Sequence, residues 1–254
     1  MPAERRDAGV DYETAAADYD RTRGHAVVLG AWQQPVGRAL ATLPPGPALD
    51  LGAGSGLWSA SIARWTGRPV VALEPSAGMR AQARRTGRDP RVHQVGGVGG
   101  ALPLRTGSVA AAWLSTVIHH VGDVARCAGE LRRAMAAGAP VLIRSGFRGR
   151  LDGIGLFRFF PAARRAGDRF PTVESVKAAF EGAGFALEGL TRVEEPATLD
   201  LRGWRDRLPA QRRADTVLVG LTDAEFAAGM HRLDEAIADD ESPAPVGLDL
   251  LWFR

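Results

Sequence analysis

Cysteine is almost absent from this chain of 254 residues: Cys127 is the only one. That excludes an intramolecular disulfide, and with scattered histidines it leaves no zinc-ligand spacing. Lysine is equally scarce, since Lys177 stands alone and arginine carries the basic charge, a usage expected of a GC-rich bacterial genome. No apolar run approaches the roughly 18–20 residues that span a bilayer. The start, Met1 to Val10, is polar and lacks the apolar core of a signal peptide. The net charge of +3 and pI near 9.7 raise the question of a nucleic-acid partner. Arginine pairs such as Arg84-Arg85, Arg132-Arg133 and Arg212-Arg213 are scattered among acids, and no aromatic-basic stripe accompanies them. A soluble, cytoplasmic protein without nucleic-acid or membrane partners is expected. The hydrophobic fraction of 45% suffices for a core without covalent staples.

The first 45 residues read as helical, with Val27, Leu29, Trp32, Val36 and Leu40 at near-helical spacing. Pro44-Pro45-Gly46-Pro47 breaks the pattern. Short apolar runs then alternate with helices: the strand candidates are Ala48–Leu51, Pro69–Leu73, Val92–Val95, Val109–Ser115 and Pro140–Arg144. Trp58, Ile62 and Trp65 form one helix face, and Val124, Ala128, Leu131 and Met135 another, with Gly138 as its expected C-cap. Alternation of this kind predicts a parallel sheet covered on both faces. Residues 146–171 read as a Gly-, Arg- and Phe-rich insertion. A helix follows from Thr172, then a strand from Phe185, a helix opened by the capping box Thr222-Asp223-Ala224-Glu225, and a last strand from Leu248 to Phe253.

Asp50-Leu51-Gly52-Ala53-Gly54-Ser55-Gly56 falls where a strand turns into a helix. Glycine there permits positive φ and close approach of a ligand to the main chain. Ligands of open parallel sheets gather at the carboxyl ends of the strands. A dinucleotide loop requires G-x-G-x-x-G, but Leu57 stands where the third glycine belongs. Asp50, two places before the first glycine, repels a pyrophosphate and welcomes an ammonium. Glu74 closes the next strand, where one carboxylate can take two ribose hydroxyls in charge-assisted bonds.

The ordered segments ALDLGAGSG (48–56), ALEPSAGM (72–79), ALPL (101–104) and STVIHHV (115–121) resemble the signatures of S-adenosylmethionine-dependent small-molecule methyltransferases, of class I and similar to type 11. The resemblance covers most of residues 10–190, and LDLLWFR (248–254) fits the closing strand. It implies a Rossmann-like α/β fold: a seven-stranded, mostly parallel sheet with an antiparallel last strand, helices on both faces and an N-terminal helical lid. Residues 1–45 would be the lid and 46–254 the cofactor-binding domain with its insertion. It also implies roles. Asp50 and the loop Gly52, Gly54 and Gly56 would hold the methionine part of S-adenosylmethionine. Glu74 would take the ribose, Ser76 and Met79 would flank the adenosine, Gly97 and Val98 would border the adenine, and Ser115 would line the site. Tyr19 and Arg23 match a position near the cofactor carboxylate. S-adenosylhomocysteine would be the product. Two departures stand out: Gly97-Val98-Gly99-Gly100 replaces the usual Gly-Asp-Ala-Glu, and Ala110 replaces an aspartate at the start of the fourth strand.

The sulfonium methyl is already activated, so such an enzyme chiefly aligns a nucleophile. Where a base is needed, an imidazole titrates in the useful range. His119 and His120, just past the fourth strand, are the candidates, with His119 favoured; His25 is a lesser one, and His93 and His231 read as structural. The Asn/Asp-Pro-Pro-aromatic tetrad of amide and adenine methyltransferases is missing, and Gly54-Ser55-Gly56 is no nucleophile elbow. The acceptor pocket is expected between the lid, the insertion and residues 199–219. Phe147, Phe157, Phe159, Phe160 and Trp204 would supply either an aromatic wall or a satellite core. A hydrophobic secondary metabolite would suit that wall. The missing acids motivate the alternative of a descendant that binds the cofactor without methylating, such as a cyclase. A binding module without chemistry is the third reading. Nothing in the sequence sets the acceptor atom or the oligomeric state.

Overall fold

The short apolar runs Ala48–Leu51, Val70–Leu73, Ala111–Ser115 and Val141–Ser145 become central strands covered on both faces, and the periodic segments between them become the cover. The computed structural model describes residues 10–13, 16, 26–87, 89–243 and 245–254; Tyr19, Arg23 and His25 lie outside the described residues. Seven strands are β1 (Ala48–Leu51), β2 (Val70–Leu73), β3 (Val92–Val95), β4 (Ala111–Ser115), β5 (Val141–Ser145), β6 (Leu187–Glu195) and β7 (Val246–Phe253). They form one sheet in the order β3-β2-β1-β4-β5-β7-β6. β1 to β5 pair in parallel, and β7 inserts antiparallel between β5 and β6. Chain order reverses between β1 and β4, so their carboxyl ends flank a crevice.

Successive strand residues face opposite layers. Trp113 and Leu142 point to one layer, where Trp32 and Val36 of α1 (Ala26–Ala39) and Ile62 of α2 (Leu57–Thr66) cover them. Next along is α3 (Ala77–Thr86), capped by Ser76, whose Oγ accepts from Met79 N at 3.1 Å. Leu114 and Ile143 point the other way, onto Cys127, Ala128 and Leu131 of α4 (Val124–Ala134). The insertion folds into α5 (Leu156–Phe159) and α6 (Arg164–Gly167). α7 (Val173–Gly182) adds Val176 and Phe180 to the α4 layer. α8 (Leu201–Gln211) and α9 (Asp223–Ala238) pack on the insertion as a third core containing Phe157, Phe160, Leu208 and Leu233. The expected capping box at Thr222 opens α9.

One boundary differs. Gly138 does not cap α4: the helix ends at Ala134, and Met135 turns extended. Met135 bridges Val109, which keeps Val109 and Ala110 outside β4, and Gly138 instead takes φ 71° in the following turn. The bridge competes with the last helical turn and wins. No helix among the described residues is long and apolar enough to cross a membrane.

Candidate active site

After Leu51 the chain turns through Gly52, Gly54 and Gly56, with φ of 74°, 54° and 80°, and enters α2 at Leu57. Two observations make Gly52 obligatory: its positive φ, and a Cβ that would land on the Val117 side chain. Glu74, just past β2, folds across this loop. Gly54 N donates to its Oε2 at 2.9 Å and Ser76 N to its Oε1 at 2.9 Å. Burial raises the Glu74 carboxyl above its ordinary value, against the pull of those two amides. Asp50 lies beneath the loop, 1% exposed, and takes the Ser59 hydroxyl at 2.6 Å. Burial pushes it up to about 7; the Ser59 hydroxyl opposes this and the Glu74 charge adds to it.

The loop opens into a cavity of about 440 Å³ that runs from Gly52–Ser55 past the ends of β4 and β5 to the insertion and α8. Ser115, Thr116, His119 and His120 form its β4 wall. Thr116 holds φ 50°, uncommon for a branched residue and characteristic of site-forming turns. His119 stacks on Phe170, centroids 4.2 Å apart at 16°. His120 Nε2 shares hydrogen bonds with the hydroxyls of Tyr12 at 3.1 Å and Thr216 at 3.5 Å. Beside Tyr12, the Glu13 carboxylate accepts from Ala77 N at 2.9 Å and Gly78 N at 2.7 Å, the first amides of α3. Residues 10–13 thus tie α3 to the β4 wall.

Of the residues expected from sequence, Gly52, Gly54, Ser115, His119 and His120 line the cavity. Asp50, Gly56, Glu74 and Ser76 do not line it: Glu74 bonds Gly54 of the glycine wall and Ser76, and Asp50 bonds Ser59 of α2. Met79, in α3, is 1% exposed and does not line the cavity. Gly97 and Val98 are half-buried in the loop after β3, where Val98 bridges Ala101. The aromatic candidates divide: Phe159 and Trp204 line the cavity, edge to face at 5.6 Å, whereas Phe157 and Phe160 fill the third core and Phe147 the main one.

Sequence reasoning missed the most heavily bonded group in the wall. Arg144, 7% exposed at the end of β5, pairs with Glu195 at the end of β6. Its guanidinium lies 4.9 Å from the rings of both Trp32 and Trp58 and donates to Ser115 Oγ at 3.0 Å. The β4–β5 register sets Ser115 opposite Arg144. A charged residue near the end of the apolar strand VLIRS was the available signal for Arg144; Glu195, in the charged strand LEGLTRVEE, had none. Asp215, 9% exposed and also lining the cavity, had none. No group of three or more metal-ligating side chains occurs among the described residues.

Known proteins share this architecture. Residues 49–143 match the family model described as a methyltransferase domain. A dimethylglycine N-methyltransferase of Parasynechococcus marenigrum is 35% identical over 97 residues, covering 37% of this chain and 35% of that protein. The match thus spans about a third of that relative's length. Among solved structures, a candidate methyltransferase from an antibiotic biosynthesis pathway of Anabaena variabilis superposes with TM-score 0.68 at 21% identity, over 87% of this chain and 97% of that one. The [4+2]-cyclase SpnF superposes with TM-score 0.59 at 19% identity, over 87% and 78%. At these identities the structures establish a shared fold.

Proposed function

We propose that this chain, which carries a domain of the S-adenosylmethionine-dependent class I methyltransferase family, transfers the methyl group of S-adenosylmethionine to a small molecule held in the cavity beside its glycine loop. The observation that carries the reading is the junction of two parts: a positive-φ glycine loop at the β1–β4 switch point, and a carboxylate from the neighbouring strand fixed on that loop's own amide.

The residues present fit the cofactor. Main chain from Gly52 to Ser55 faces the cavity with small or no side chains, as a methionine moiety requires. Each Glu74 oxygen takes one amide and retains a second acceptor site, enough for two ribose hydroxyls. Asp50, held at about 7, tempers the charge that two adjacent carboxylates would otherwise carry. The loop after β3, with Gly97 and Val98, supplies main chain for the adenine edge; Ser76 and Met79 shape the adenosine side through α3. Residues 46–254 form the cofactor-binding domain in this reading; Tyr19 and Arg23, expected in an N-terminal lid, lie outside the described residues.

Bound S-adenosylmethionine supplies a sulfonium methyl already activated for displacement. The protein's part is to position the acceptor and exclude water, which Leu156, Phe159 and Trp204 do on the acceptor side. His119 and His120, both in the cavity wall, are the candidates to take an acceptor proton: His120 Nε2 is engaged by the hydroxyls of Tyr12 and Thr216, and the His119 ring stacks face to face on Phe170, which leaves its ring nitrogens in plane for proton transfer.

Calorimetry with S-adenosylmethionine and S-adenosylhomocysteine tests the cofactor reading, and binding of both is expected. Absence of binding to either removes it. Product mass then separates methyl transfer, which consumes the cofactor, from the cyclase alternative raised by the missing acids and by the fold shared with a [4+2]-cyclase, which leaves it intact.

A further inference from the structure

Three donors converge on a single oxygen of Glu195. Trp32 Nε1 donates to Oε1 at 2.7 Å, Arg144 Nε donates to it at 3.0 Å, and Arg144 Nη2 closes on the same atom. Oε2 has no hydrogen-bond partner among the described residues, and it is not sealed from solvent. The residue is 7% exposed and lines the cavity. Three of the five N–H groups of Arg144 are engaged, two on Glu195 and one on Ser115, and the Trp32 and Trp58 indoles, themselves 6.3 Å apart, both lie 4.9 Å from its guanidinium. The pair is neutral in sum and leaves one acceptor atom at the wall of a cavity that also holds Ile154, Leu156, Phe159 and Trp204.

This arrangement selects by charge and by hydrogen-bond polarity. An anion would face Oε2 and, elsewhere in the same wall, the carboxylate of Asp215, whose oxygens take Gln211 Nε2 at 3.1 Å and Val217 N at 3.0 Å, while the other guanidinium of the wall, Arg158, is paired with Glu241. A cation at Oε2 would stand beside the guanidinium of Arg144. A neutral hydroxyl meets neither repulsion and finds a carboxylate oxygen as acceptor, a charge-assisted bond stronger than one between neutral groups. We infer that Glu195 determines acceptor specificity, taking at Oε2 a hydrogen bond from the hydroxyl of an uncharged, largely apolar molecule. The inference rests on the reading of this cavity as the acceptor site of a methyltransferase.

Three probes of one ring system test it on the cofactor-free protein: 2-naphthol, 2-methoxynaphthalene and 2-naphthoate, titrated by calorimetry. 2-Naphthol is expected to bind about tenfold or more tighter than the other two, the effect of one charge-assisted bond. Equal affinity for 2-methoxynaphthalene, a preference for 2-naphthoate, or no measurable binding of 2-naphthol overturns the inference. Glu195→Gln keeps an oxygen for Arg144 and turns an amino group into the cavity, so the ranking should invert toward 2-naphthoate; an unchanged ranking in a folded variant also overturns it. Should Glu195→Gln not fold, the wild-type ranking decides alone. S-adenosylhomocysteine titrated into the same protein separates the two readings: its failure to bind rejects the methyltransferase reading, and the probe ranking judges Glu195 independently.

Discussion

On the β1–β2 side of the cavity the wall is main chain: Gly52 to Ser55 present backbone, and Glu74 is fixed by the amides of Gly54 and Ser76, 20 and 2 residues away in sequence. On the β5–β6 side it is side chain. Arg144 and Glu195 are 51 residues apart, and Trp32 reaches Glu195 from 163 residues away. The first half therefore has little freedom to change without losing its shape, since a turn of left-handed glycines is a backbone property. The second half is assembled from separate segments and can be re-lined by substitution while the sheet stays intact. Cofactor binding and acceptor choice should then respond to different residues.

Gly52→Val offers the severest test of the main-chain half. A branched side chain at φ 74° lands on Val117, and the expected cost is about 3 kcal/mol or more of stability. Titration should register complete loss of S-adenosylhomocysteine binding; a folded variant that still binds would place the cofactor elsewhere. Next comes Asp50→Asn. The native carboxyl, at about 7 instead of 3.8, holds a proton that the unfolded chain releases. Its stabilisation is complete below about pH 4 and disappears as pH rises through about 7. The amide keeps an acceptor for Ser59 and does not titrate. Between about pH 4 and pH 8 the wild type should therefore lose roughly 2–4 kcal/mol relative to the variant in urea melts. Parallel curves would mean that the native carboxyl is ionised throughout.

Glu74→Ala is expected to weaken cofactor-product binding by about tenfold or more, through two lost charge-assisted bonds. An unchanged dissociation constant would remove the ribose from that carboxylate. The smallest effect on the cofactor should come from Trp204→Ala, whose ring packs on Phe159 across the chamber. Product-cofactor affinity should stay within about twofold, while probe binding in the chamber falls by roughly tenfold for the lost aromatic area. A matched fall in both would show that the two halves are not separable.

The glycine loop, Glu74 and the central strands β1, β2, β4 and β5 were legible because each is written in consecutive residues: positive-φ turns demand glycine, and strands covered on both faces demand continuous apolar runs. Strand ends were read less well. β4 starts at Ala111 instead of Val109 because the Val109–Met135 bridge depends on where α4 stops, which no local pattern records.

What the sequence determined by itself was the sheet, its switch point and a carboxylate beside a bare loop, for these follow from backbone sterics within some 25 residues. Tertiary structure alone decided which aromatic side chains face the chamber, Phe159 and Trp204 and not Phe157 or Phe160, and that Arg144 and Glu195 meet there. The physical reason is reach. β7 separates β5 from β6 in the sheet, so the contact at their ends exists only after the last strand has been inserted.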